Sequence, residues 1–219
     1  MVLWRSFPVV LLLGFFAAPA AFGQAKNSPI AFANEEAITT TFVEAPTVDS
    51  GDATASNAGS SAEPAKWLKV EFHYGATPAL KTDWVDAIEF KVWIEGIDLL
   101  AKDALVPGKG VAVALTGSVT YVNVRVNKDI YGVVYVHPSS LARYCERSYT
   151  DFDRKFNVHV EAYVGGTKMD YFDKNREKDP NWFQPLRAVP GLVFQQNQTP
   201  FLLTDTTRYP ALKLPGAAQ

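Results

Sequence analysis

Cysteine is nearly absent: Cys145 is the only one in 219 residues. A single thiol rules out an internal disulfide, so the fold must be held by its core alone. In that setting Cys145 reads as a small buried hydrophobe rather than a free or cross-linking thiol. Histidine is scarce too, with only His73, His137 and His159. The motifs that announce chemistry are missing: no G-x-S-x-G elbow, no H-E-x-x-H pair, no P-loop and no G-x-G-x-x-G. Charge is nearly balanced, 21 Lys and Arg against 23 Asp and Glu. No clustered basic stripe marks a nucleic-acid partner. The apolar run Val9–Ala18 is too short to span a bilayer.

That run instead has the shape of a signal-peptide core. Arg5 precedes it and Ala21-Phe22-Gly23 follows as a small-x-small cleavage site. Residues 1–23 are therefore expected to be a signal peptide, with the mature chain starting near Gln24. No cysteine stands at the cleavage site, which argues against a lipoprotein. Gly14-Phe15 has the look of a prepilin cleavage site. However, the apolar stretch lies mostly before Gly14, and Pro19 occupies the fifth position, where prepilins carry Glu. A polymerising pilin subunit is not expected. The expected location is exported: periplasmic, associated with the outer envelope, or secreted, with no stable membrane span once the signal is removed.

Residues 24–65 carry one base, Lys26, before Pro64, against six acids, and are rich in Ala, Ser, Thr and Gly. The part from Pro46 to Ala65 cannot bury enough apolar area to offset its ordering entropy. The segment reads as a flexible, disordered acidic leader. Ile38–Val43 (ITTTFV) is an exception with two readings. It is either a strand added to a sheet edge, on this chain or a neighbour, or a chance β-prone patch.

Residues 66–215 are expected to form the folded domain. Trp67–Tyr74 alternates, with Leu68, Val70 and Phe72 inward and Lys69, Glu71 and His73 outward. Phe90, Val92 and Ile94 repeat the pattern in Trp84–Leu99, where Gly96 reads as a bulge. Val111–His137 reads as a central hairpin turning at Asn127-Lys128-Asp129. Thr120, Val122, Val124 and Val126 fall on one side of it, and Tyr121, Asn123 and Arg125 on the other. Pro138–Tyr144 reads as one or two helical turns with a Ser N-cap. Phe156–Val164 is a strand, and Gly165-Gly166 a two-residue turn. Prolines at 180, 185, 190, 200, 210 and 215 allow only short edge strands, with Leu192–Gln195 and Phe201–Thr204 as candidates. Seven to nine short strands, one short helix and no βαβ alternation give a mainly all-β class: an antiparallel sandwich of immunoglobulin-like type.

Candidate sites are few. His73 and His159, with Glu71 and Glu161 two residues away, would bind zinc only if their strands were neighbours; sheet decoration is the commoner reason for such a pattern. Asp173-x-Asn175-x-Glu177 spaces oxygen ligands as a calcium loop does, but lacks the Gly and the bidentate Glu. Asp151 and Asp153 have no activating context and read as a turn. No catalytic residue, cofactor or metal site is assigned. Trp182-Phe183 beside Pro185 is the candidate contact surface, either as an interface anchor or sugar platform, or as a plug closing the core.

Trp67–Tyr74 (WLKVEFHY), Trp84–Gly96 (WVDAIEFKVWIEG) and Val119–Tyr144, with YGVVYVHPSSLARY, resemble a family of exported pilus-like proteins from Verrucomicrobia. In mucin-degrading Akkermansia their genes lie beside type IV pilus assembly genes. The resemblance covers about Trp67 to Leu214 and brings no catalytic residues. It implies an immunoglobulin-like fold and a structural, non-enzymatic role in a pilus or cell-envelope assembly. The partners implied are proteins, including further copies of the chain. From the aromatic patch itself, the alternative is a carbohydrate- or glycoprotein-binding module.

Overall fold

A computed structural model of the chain describes residues 28–33, 36–46, 65–76, 83–98, 100–101, 110–145, 156–176, 178–179 and 181–214. The expected signal peptide, Asp151, Asp153 and Glu177 lie outside them. Eleven strands and one helix follow in order: β1 (Ile30–Phe32), β2 (Ile38–Glu44), β3 (Lys66–Ala76), β4 (Trp84–Asp98), β5 (Val111–Arg125), β6 (Ile130–Val136), α1 (Pro138–Tyr144), β7 (Val158–Val164), β8 (Thr167–Lys174), β9 (Arg187–Pro190), β10 (Val193–Gln195) and β11 (Ala211–Leu212).

The strands form two sheets. In one, β3 pairs with β6 on one side and with β1 and β2 end to end on the other, while β10 completes the far edge beyond β6. In the other the order is β11-β5-β4-β7-β8, with β9 also on β5. Inward side chains fill the space between the sheets. Leu68, Val70, Phe72, Phe90, Val92, Ile94, Val158 and Val160 are all buried, as their alternation predicts. Cys145 is buried with them. All pairings are antiparallel except β9 with β5, which is parallel. The molecule is thus a mostly antiparallel β-sandwich with one short helix.

Three local expectations give way. The run Val111–His137 is not a hairpin: β5 and β6 belong to different sheets. Asn127–Asp129 crosses between them, tied down as Ala76 N–H donates to Asn127 O (2.7 Å) and Val126 N–H to Asp83 O (2.8 Å). Side-chain parity in β5 also switches. Val119, Tyr121 and Val124 are buried, because Asn123 takes a left-handed φ of 51° and resets the alternation. The Tyr121 hydroxyl, from the side of the alternation opposite Val124, accepts from Val133 N–H at 2.8 Å inside the core. Gly96 is no bulge, since pairing with β5 runs through it in register. A Cβ there would meet Tyr144 O at 3.1 Å, so its absence lets α1 pack close. The α1 N-cap is His137, whose Nδ1 accepts Ser139 N–H at 3.1 Å.

The boundary between leader and domain also moves. β1 and β2 lie inside the stretch 24–65 whose overall composition predicts a linker, and both pair with β3. Ile30 and Ile38 enter the core at 0% and 3% exposure, and Phe42 packs its ring edge on Phe156 at 5.9 Å. Those buried apolar groups offset the ordering entropy that composition averaged over the whole stretch does not. Of the two readings of Ile38–Val43, the structure has the strand on this chain's own sheet edge.

In β7 and β8, Gly165 and Gly166 take φ values of 56° and 78°, the left-handed pair that a two-residue hairpin requires. The proline-rich tail yields the short strands β9, β10 and β11. Phe201–Thr204 is a turn rather than a strand, with Phe201 buried and Leu202 and Leu203 exposed.

Candidate functional site

Register places a row of polar and aromatic groups on the outer face of the β5-β4-β7 sheet. His159 on β7 stands opposite Trp93 on β4 and Asp173 on β8. Glu161, two residues on, stands opposite Lys91 and Tyr171. Cross-strand neighbours of this kind are within side-chain reach. His159 Nδ1 lies 2.8 Å from Asp173 Oδ1, and His159 Nε2 lies 3.4 Å from Glu161 Oε1. The Tyr163 hydroxyl donates to Glu161 at 2.6 Å and Lys168 Nζ at 3.0 Å.

An outer face would normally be wet, but this one is roofed. Residues 181–186 form tight turns, with Gln184 N–H donating to Asn181 O and Leu186 N–H to Phe183 O. Trp182 Nε1 donates to Asp173 Oδ1 at 2.9 Å. The Phe183 ring stacks on His159 at 4.1 Å and tilts against Trp93 at 4.8 Å. The result is a buried imidazole between two carboxylates. Burial pulls its pKa down, and the Asp173 and Glu161 acceptors outweigh that, leaving it above the ordinary value. Burial pushes Glu161 up, and donation from His159, Tyr163 and Lys168 outweighs that, leaving its pKa at about 2. A histidine flanked by carboxylates has the ingredients of acid–base chemistry. At 2% exposure and with the Phe183 ring stacked on it, His159 is closed off from solvent in this structure.

The sequence-predicted pair therefore divides. Trp182 is buried at 5% exposure, its indole spent on Asp173, so it is not an exposed anchor or platform. Phe183 is half-buried on His159. Alternation put His159 on a polar face, correctly, but says nothing of a loop arriving from residue 181 to cover it. His73 is on β3 in the opposite sheet from His159, so the strands a shared zinc would need are not neighbours. Among the described residues no group of three His, Cys, Asp or Glu is placed for a metal. Asp173 is turned to His159 and Trp182, and Asn175 Nδ2 donates to Phe156 O at 2.7 Å, so both serve the fold rather than a calcium loop.

The other sheet's outer face carries a second ion cluster. Glu71 accepts from Arg208 Nη2 (2.6 Å) and Nε (3.1 Å), from the Tyr209 hydroxyl (2.5 Å), and lies 3.1 Å from Lys69 Nζ. Burial pushes the Glu71 carboxyl up, and Arg208, Tyr209 and Lys69 outweigh it, so its pKa is lowered. Tyr135 stacks on Phe201 at 4.6 Å, and Phe201 meets Trp67 edge-on at 5.8 Å. Arg208 stands over Tyr131 at 4.2 Å, and His73 stacks on that same ring at 4.6 Å. Arg208 and Tyr209 carry no local signal in the sequence, because their partner is 137 and 138 residues away. The tail thus straps both outer faces of the sandwich.

The profile of one protein family matches residues 30–215. No curated protein matches the chain by sequence. A protein of Akkermansia muciniphila with a known crystal structure superposes with a TM-score of 0.64 at 22% identity, over 86% of this chain and 95% of that one. At that identity the likeness speaks for the fold alone. The family match spans both sheets and the tail that straps them, beginning at β1. The chain belongs to the Akkermansia-type family of pilus-associated proteins.

Proposed function

We propose that this chain is an exported, non-enzymatic structural protein that acts through protein contacts in a pilus-related or cell-envelope assembly. The observation that carries the reading, beside the family match, is the closed His159 cluster. The most reactive-looking group of ionisable side chains is spent on fastening a loop, under an aromatic lid. What remains for function is the outside of the molecule. There the flank where the sheet edges β2 and β8 face each other is the favoured contact surface. Lys174 Nζ on β8 donates to Thr40 on β2 at 3.1 Å, while Thr39 and Thr41 on β2 are exposed. An edge strand presents backbone donors and acceptors to an extended segment of a neighbour, so strand addition is the natural mode of contact. Trp182 and Phe183 support this surface from within by holding β8 and β4 under one roof.

Fractionation of cells expressing the full chain, with sequencing of the mature N-terminus, tests export; a start near Gln24 in the envelope fraction is expected. Copurification with pilus assembly proteins tests the role. A cytoplasmic, uncleaved protein with no envelope partner would refute it.

A further inference from the structure

Trp84 is the one aromatic side chain among the large hydrophobic residues exposed in the described structure, at 53%. It stands at the start of β4, directly opposite Arg125 on β5. The left-handed turn of the backbone at Asn123 exposes both Asn123 and Arg125 while Val124 stays in the core. A non-glycine residue held at positive φ points towards function more often than an ordinary strand position does. Around the indole lies a shallow cleft of about 250 Å³, lined also by Asn127, Asp129 and Thr207. Asn127 Oδ1 accepts Lys128 N–H at 2.7 Å, which fixes that amide at the rim.

The charges in the cleft are largely committed. Arg208 is held bidentate on Glu71, and Asp129 sits 3.3 Å from His73 Nε2. Among the described residues of the cleft that leaves one guanidinium, Arg125, which is too little for a phosphate or polyanion. The cleft also presents the indole, 53% exposed, beside the Asn123 and Asn127 amides and the Thr207 hydroxyl. A ring of axial C–H bonds with equatorial hydroxyls fits that combination, with its C–H face on the indole and its hydroxyls on the polar rim. The volume is below the usual range for a complete small-molecule site, which corresponds to a single ring rather than an enclosed ligand.

We propose that the Trp84 cleft is a binding site for a neutral pyranose unit of a glycan. This activity is separate from the assembly role and stands or falls without it. The indole is the platform, and Asn123, Arg125 and Asn127 are the hydrogen-bonding rim. Trp182, the sequence's own candidate for a sugar platform, is excluded by its burial.

The test is saturation-transfer NMR on the mature chain with a panel of neutral hexoses and N-acetylhexosamines at millimolar concentration. Transfer to the ring C–H protons of at least one sugar is expected, lost in Trp84→Ala and retained at reduced intensity in Trp84→Phe. Arg125→Ala, at an exposed position, is expected to weaken the same sugar about fivefold or more, the scale of a lost hydrogen bond. No transfer to any sugar would overturn the proposal. So would transfer that persists unchanged in a folded Trp84→Ala variant, or a Trp84→Ala effect confined to the oligomeric state.

Discussion

His159 and Glu161 are bound to each other yet limit stability from opposite sides of the pH scale. The folded state holds the His159 proton more tightly than the unfolded chain, with its ordinary value of 6.5. Its contribution is therefore full below about pH 6.5 and lost as pH rises through the raised folded value. Glu161 drops from 4.5 to about 2, so its contribution is full above 4.5 and lost as pH falls towards 2. Both terms are complete only between about pH 4.5 and 6.5. Urea midpoints measured across pH should peak in that window, and Glu161→Gln should flatten the acid limb by about 2 kcal/mol, after discounting for solvent screening. At the same site Phe183→Ala removes three ring contacts, with His159, Trp93 and Trp182, and opens the roof. A loss of about 2–4 kcal/mol in chemical denaturation is expected. On the opposite sheet, a methyl at Gly132 would sit 2.1 Å from the Phe72 ring, so Gly132→Ala should lose about 1–3 kcal/mol.

At the scale of elements, period-two alternation named β3, β4 and β7 correctly because each has an apolar face on the core and a polar face turned outward, even though in β7 the outward face is then covered by the 181–186 turns. Where that condition fails, so does the reading. β5 resets its parity at Asn123, a backbone event that residue type alone does not announce. The β5–β6 run looks like a hairpin because turn residues interrupt two strand-like stretches, but the same residues serve a crossover between sheets. β1 is hidden by composition, since buried Ile30 is diluted by the polar residues around it, whereas β2 stands out as Ile38–Val43, with a chance β-prone patch as the competing reading. Their role is testable. Deleting residues 24–46 should expose the β3 edge, lower the unfolding free energy by several kcal/mol and promote association. An unchanged denaturation curve would mean that β1 and β2 do not contribute to the sandwich in solution. The candidate site was legible only in part. Trp182 and Phe183 stood out as aromatics beside a charged loop, but their direction did not, because it is set by Asp173 and His159 on strands folded earlier in the chain.

Across the whole molecule, the tail from Asn181 to Leu214 passes over one sheet, along the flank formed by β5 and β6, and over the other sheet. Its fastenings are side-chain bonds from Trp182, Arg208 and Tyr209 to carboxylates on the two outer faces. Single removal of Arg208 leaves Glu71 with unmet acceptors, so Arg208→Ala should cost about 1–3 kcal/mol and loosen hydrogen-exchange protection from 199 to 209. With both faces strapped, the free flank at β2 and β8 is where a neighbour is expected. The most direct test places a photo-crosslinking amino acid at exposed Thr41 in intact cells that carry the pilus machinery. Discrete adducts containing an envelope or pilus protein, or a second copy of the chain, are the predicted result. A protein that stays uncrosslinked at Thr41 and purifies as a lone monomer would contradict the account.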